Sequence, residues 1–432
     1  MHLRAAVVIL KHILCVSGPA DLMSNVTQTE APAGASPAAT ASALTTHTIT
    51  LVGYLAASSV PTPLYRLYQA QWHFSPMLLT LIFGVYALSL LSALIVAGAL
   101  SDYIGRRPVI SAALVLEMGA MGLFLAAVGP GWLIAARVLQ GVATGLAAAS
   151  VGAALIDLDR ERGALINGLA PMGGMSLGAL GSTALAQLAP APLHLVFVLL
   201  LALFAFQLFQ TWRTPETSGG RPGALKSLRP SISVPPGARA ELLAITPINV
   251  AVWALGGFYL SLMPSLIGKV TGAASVWLGG LSVAALTLSG GVAILVVRLR
   301  KPLPVLIVGA VALLIGIPAI LAGADLGVTA ILLVGSVIAG IGFGSGFLGA
   351  VRSVMPLAQP HERAGLMAAF YVESYLANSL PAILAGYMTP RFGLLKVANF
   401  YGGALILLVL TGLAFTIARH RSDRGVAGSA AH

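Results

Sequence analysis

From its second apolar run onward, the chain repeats one theme: about 20 apolar residues, then a short polar turn. A backbone inside a bilayer must satisfy its own N–H and C=O groups, and a helix needs roughly 20 apolar residues to cross the hydrocarbon core. Twelve spans are expected, at about 45–65, 76–99, 108–128, 131–156, 163–188, 192–212, 242–268, 276–297, 303–323, 327–351, 364–388 and 396–418. The first, fifth and seventh hold internal Pro or polar residues. Such breaks are tolerated where neighbouring helices or a cavity take up the freed backbone groups.

Charge agrees with this setting. Only 9% of the 432 residues are charged and 58% are hydrophobic, whereas a soluble chain is about a quarter charged. The net charge of +11 does not point to nucleic acid, because the basic residues stand between apolar runs and are not interleaved with aromatics. Cys15 is the sole cysteine, which excludes an internal disulfide and a cysteine-based metal site.

Seventeen Lys and Arg residues fall on the side of the turns that follow the even-numbered spans, and four (Arg66, Lys269, Arg391, Lys396) on the other. The richer side is expected to be cytoplasmic, with both termini inside. The longest interior break, "RTPETSGGRPGALKSLRPSISVPPGARAE", is basic and rich in Pro, Gly and Ser, as a flexible linker is. The expected organisation is a disordered tail (1–44), a six-helix bundle (45–213), a linker (214–241), a second six-helix bundle (242–418) and a short tail (419–432). "RRPV" at Arg106 and "RKPL" at Arg300 open the third span of each half, a trace of internal repetition. The first 20 residues resemble a secretory signal, but Lys11 and His12 interrupt the apolar run, and Met23 is the expected start.

The turn between the second and third spans reads "GALSDYIGRRPVI". Gly98 lets two helices approach closely. Gly105 permits a tight turn. Asp102 can sit against the positive end of a helix. Arg106 can pair with an acid on another loop, for which Asp157 in "DLDRER" is the best-placed candidate, and Arg107 adds charge at the same edge. Gly98-x-x-x-Asp102-x-x-Gly105-Arg106-Arg107 resembles the signature between helices 2 and 3 of the major facilitator superfamily. That resemblance covers about residues 45–418. It implies an all-α integral membrane protein of twelve helices in two pseudo-symmetric bundles, with this loop latching the halves in one conformation and releasing them in another.

"RVLQGVATG" resembles a second motif of the family. Arg137 lies about 9 Å along its helix from the outer end, where a charge is costly and faces the bundle interior. It is a candidate, with Gln140, for substrate binding or proton coupling. Gly141 and Gly145, like Gly174 and Gly178 on the fifth span, form small-residue packing faces. The stretch Gly178 to Ser182 lacks the proline and both terminal glycines of the element that antiporters of the family carry there. "RTPET" resembles a common ending of helix 6. "GSGFLG" at Gly344 fits a dinucleotide fingerprint only if a strand precedes it; between apolar spans it reads as helix packing.

Two acids lie near mid-depth. Glu117, on a helix that is peripheral in the family, is expected to be a packing or interhelical hydrogen-bond residue. Glu373, on a helix between the halves, is the candidate carrier of a coupled proton, since an ionised carboxylate there is costly. Tyr54, Tyr86, Asn249, Trp253, Tyr259, Tyr371, Tyr375 and Asn378 lie on helices that line the cavity in the family.

The implied function is secondary transport of a small organic molecule by alternating access in the plasma membrane, coupled to protons, with export of drug-like or metabolic compounds favoured. Uptake of a small organic acid anchored on Arg137 is the alternative; a transport-inactive sensor or a membrane enzyme is a further one. No nucleophile–base pair, metal cluster or ATP-binding motif is legible, so neither enzyme nor cofactor is expected. The expected partners are the substrate and the bilayer, and the expected state is a monomer.

Overall fold

The computed structural model describes residues 36–230, 232–272 and 277–429, with side chains as far as residue 419. The expectation for residues 1–35, including the alternative start at Met23, lies outside the described residues. Among those described there is no strand.

The first half holds α1 (Pro37–Ser59), α2 (Pro61–Trp72), α3 (Pro76–Ala97), the short α4 (Ser101–Ile104), α5 (Arg106–Leu125), α6 (Pro130–Leu158), α7 (Arg160–Leu188) and α8 (Leu195–Thr211). A connection containing α9 (Ala224–Ser227) leads to the second half. This half holds α10 (Pro236–Ser261), α11 (Met263–Thr271), α12 (Trp277–Val297), α13 (Pro302–Asp325), α14 (Thr329–Val354), α15 (Arg363–Phe392) and α16 (Leu394–Ser429). Counting α1–α2 and α10–α11 each as one broken span, the described residues form twelve spans, six in each half. Each half packs around its own apolar core.

Three expected boundaries are corrected. The tail does not run to residue 44, because Ser36 caps α1 with its hydroxyl on the N–H of Ala39 and Pro37 opens the helix. The linker ends before Pro236, which opens α10 in the same way. The closing tail is not separate, because α16 continues through residue 419, where Arg419 pairs with Glu241 of α10 at 2.9 Å.

Among the described residues, eight helices are long and apolar enough to cross a membrane by length and composition alone. α1, α7 and α15 are not among them, and α8 is apolar but short. Their position explains most of this. α15 packs on α3 and α7 packs on α12, so these two helices join the halves. Protein neighbours there shelter Pro171 and Pro381, together with the polar groups beside them.

The joints between halves run from mid-depth to the end away from the Asp102 turn. Ser176 and Thr287 share a hydrogen bond at 2.6 Å, and Thr62 donates to the carbonyl of Leu260 at 2.9 Å. Gly268 lies against the guanidinium of Arg66. The glycines at Gly344, Gly346 and Gly349 are helical and pack on Gly290, Val252 and Leu306, as helix packing requires.

Candidate functional site

Three polar centres interrupt the apolar interior. The first is the turn around Gly105, whose φ of +101° only glycine adopts without strain. The helix that follows, α5, has no side-chain cap of its own. Its exposed N–H groups are taken instead by Glu216, from the far end of the first half. The carboxylate accepts from the N–H of Arg106 at 2.8 Å, of Arg107 at 3.0 Å and of Ser218 at 3.1 Å. The acid at the helix start is therefore Glu216, and not Asp102 as expected. Asp102 lies on α4, four residues before Arg106, and the break at Gly105 between α4 and α5 leaves it 2.5 Å from that guanidinium.

Arg106 also donates to Asp157 at 3.0 Å and to Ser101 at 2.7 Å, and Thr217 donates to Asp157 at 3.1 Å. All of these partners belong to the first half and its trailing segment. The network binds the loops of one bundle together. Arg107 contributes its main-chain N–H, while its side chain stands outside the network. Gly98 packs toward Ala149 of α6.

The second centre lies inside the first bundle. Pro61 has no N–H, so the carbonyl of Ala57, four residues back, loses its helical donor. Gln140 supplies one, donating to that carbonyl at 3.1 Å and to Glu117 at 3.0 Å. Arg137 donates to the carbonyl of Ser58 at 2.9 Å and to Gln140 at 2.7 Å, and lies 4.0 Å over the ring of Tyr86. At 1% exposure, Arg137 points into the bundle and does not reach the membrane edge. Five buried atoms around it have no hydrogen-bond partner among the described residues: Arg137 Nε, Glu117 Oε2 and the hydroxyls of Tyr54, Tyr65 and Tyr68. α6 reaches this depth because Gly141 and Gly145 lie directly against the backbone of α3; Gly174 and Gly178 do the same for α7 on α1.

The third centre lies in the second bundle, on the joint between α10 and α15. Glu373 is half-buried. It accepts from Thr246 at 2.8 Å and from Asn249 at 2.9 Å; Asn249 also donates to Ser374 at 3.1 Å. No basic side chain pairs with Glu373 among the described residues. On the same two helices, Trp253, Tyr371 and Tyr375 form an aromatic cluster, with ring centroids of Trp253 and Tyr375 5.0 Å apart and of Tyr371 and Tyr375 6.0 Å apart. Tyr371 and Tyr375 each stand two residues from Glu373 and so project from a different face of α15. Phe347 closes the edge at 6.1 Å from Trp253. Asn378 donates to the carbonyl of Trp253 at 3.1 Å.

The structure thus brings Asn249 to Glu373, and groups Trp253, Tyr371, Tyr375 and Asn378 with one another on the same two helices. It places Tyr86 with Arg137. Tyr54, its ring tilted against Phe204 at 5.2 Å, belongs with the second centre, and Tyr259, bonded to Ser336 at 2.6 Å, is buried within the second bundle; neither joins Glu373. Sequence reasoning missed Glu216, Thr246 and Phe347, and did not link Glu117 to Arg137. For Glu216 a signal existed: a helix opening at Gly105 without its own cap needs an acceptor from elsewhere.

A family model described as Major Facilitator Superfamily matches residues 47–323. No curated protein matches the chain. The crystal structure of the nucleoside transporter NupG is similar, with a TM-score of 0.68, 11% identity, and coverage of 87% of this chain and 99% of that one. That of the human organic anion transporter MFSD10 has a TM-score of 0.65 and 18% identity, over 88% of this chain and all of the other. At these identities the likeness is one of fold. The family model spans well over half of the chain, which therefore belongs to the Major Facilitator Superfamily and is a membrane transporter rather than an enzyme.

Proposed function

We propose that the protein is a proton-coupled secondary transporter that exports amphipathic, drug-like or metabolic organic cations by alternating access. The observation that carries this reading is Glu373, held by Thr246 and Asn249 on the joint of α10 and α15, with no basic partner among the described residues and with the Trp253, Tyr371 and Tyr375 cluster on the same two helices. A carboxylate at that depth is costly when ionised and alone. A proton neutralises it; so does a cationic substrate, whose charge the aromatic faces also attract. Proton and substrate then compete for one group, which is the requirement for exchange. An inward proton gradient drives the substrate out.

Orientation follows from the uneven distribution of Lys and Arg: both termini face the cytoplasm, in the plasma membrane. Since the joints between halves lie from mid-depth to the opposite end, the conformation described here is the one open to the cytoplasm. The transporter acts as a monomer. Uptake of an organic acid on Arg137 has less support, because the guanidinium is already engaged by Ser58, Gln140 and Tyr86.

The test is proton flux in proteoliposomes on addition of single compounds from a panel of organic cations, anions and neutral molecules. Flux elicited by cations supports the reading; flux elicited only by anions contradicts it.

A further inference from the structure

A groove of about 780 Å³ runs between α5 and α8 on the outside of the first bundle. Its floor is apolar, formed by Val115 and Leu116 of α5 and by Ala205 and Phe209 of α8. Val115, Phe209 and Trp212 are each more than half exposed, so the groove faces the surroundings of the bundle and not its core. At one end it reaches the edge where the Gly105 turn lies.

Two guanidinium groups stand at that end. Arg107 is one helical turn before Ser111, a lining residue, on the same face of α5. Arg213 lies 4.2 Å over the ring of Phe209. Neither has a carboxylate partner among the described residues. Of the nearby acids, Asp102 and Asp157 pair with Arg106, and Glu216 serves main-chain N–H groups. Arg107 Nε and Ser111 Oγ are buried and have no hydrogen-bond partner among the described residues. A buried donor left unpaired is costly, and both of these belong to the face that ends at the groove.

We propose that this groove binds one anionic phospholipid, with an acyl chain along α5 and α8 and its phosphate between Arg107 and Arg213. The argument is one of complementarity. A free phosphate would satisfy the guanidinium groups but not the apolar channel beside them. A choline lipid would fill the channel but bring a cation to two cations. An anionic glycerophospholipid supplies the chain, the net negative charge and the acceptors for Arg107 and Ser111. Trp212 sits at the edge where interfacial tryptophans sit.

Native mass spectrometry of the full-length protein tests this, after incubation in neutral detergent with phosphatidylglycerol, phosphatidylcholine or inorganic phosphate. The expected result is one retained phosphatidylglycerol, at about tenfold higher occupancy-derived affinity than phosphatidylcholine. Arg213→Gln and the groove-filling Ala205→Trp should each lower that affinity about tenfold, with Arg213→Lys less affected. Arg160→Gln, on the same side but away from the groove, should keep it. Helix content by circular dichroism identifies any variant that fails to fold, and Arg107→Gln, which removes the other guanidinium, then serves as the alternative with the same expected loss. Equal retention of both lipids would overturn the proposal. So would unchanged phosphatidylglycerol binding in folded Arg213→Gln and Ala205→Trp, or displacement of the lipid by inorganic phosphate.

Discussion

The carboxylate of Glu216 sits on the first N–H groups of α5, 2.8 Å from the main-chain nitrogen of Arg106, although the two residues are 110 positions apart. A carboxylate at a helix start satisfies orphan donors and complements the helix dipole. Glu216→Ala should therefore lower stability by about 1–2 kcal/mol, read as a fall in melting temperature in detergent. Gly105→Ala should cost at least as much, because its φ of +101° is strained for alanine and the new Cβ would lie 2.9 Å from Glu216. A Glu216→Ala protein as stable as the parent would remove the capping role.

Asp102 and Arg106 should act on the rate of interconversion and not on the cavity, since their partners lie in the turn and its neighbouring loops. Asp102→Asn should leave substrate Kd within about twofold while transport falls about tenfold or more. Being half-exposed, Asp102 should contribute little to stability. Equal transport rates in Asp102→Asn and the parent would contradict the gating role.

Arg137 should be required for transport, and a lysine should not replace it. One guanidinium nitrogen makes both hydrogen bonds while the planar group lies over Tyr86, a combination the ammonium cannot reproduce. Glu117→Gln should also alter transport, because Gln140 ties Glu117 to Arg137. Initial rates in proteoliposomes, with melting temperatures to separate misfolding, decide both. Full activity of Arg137→Lys would show that only the charge matters.

Topology is open to labelling. On a Cys15→Ser background, Gly219→Cys should react with an impermeant maleimide only after the cells are opened, and Leu326→Cys should react in intact cells. Both positions lie in connections, at opposite ends of the spans. Labelling of Gly219→Cys from outside would reverse the orientation.

The spans were legible because hydrophobic length is a local property. Arg137 and Gln140 were legible as candidates on one helix, but their hydrogen bond to each other was not. The boundaries at Ser36 and Pro236 were missed because both helices extend beyond their apolar runs, and apolarity was the signal used. The partners of Glu373 were not legible as partners. Thr246 and Asn249 lie on α10, more than 120 positions away, and only the packing of α10 on α15 brings them to the carboxylate. The same holds for the carbonyl of Ala57, which Pro61 frees and which Gln140 finds only when α6 packs on α1.

The central claim is that Glu373 carries the exchanged proton. Glu373→Gln keeps the shape, can still accept from Asn249 through its amide oxygen while its NH2 donates to the hydroxyl of Thr246, and cannot titrate. In proteoliposomes with an imposed pH gradient, the variant should lose proton-driven accumulation of an organic cation and its pH dependence, while downhill exchange of the same compound continues. Accumulation against the gradient at the parent rate, with the parent pH profile, would contradict the account.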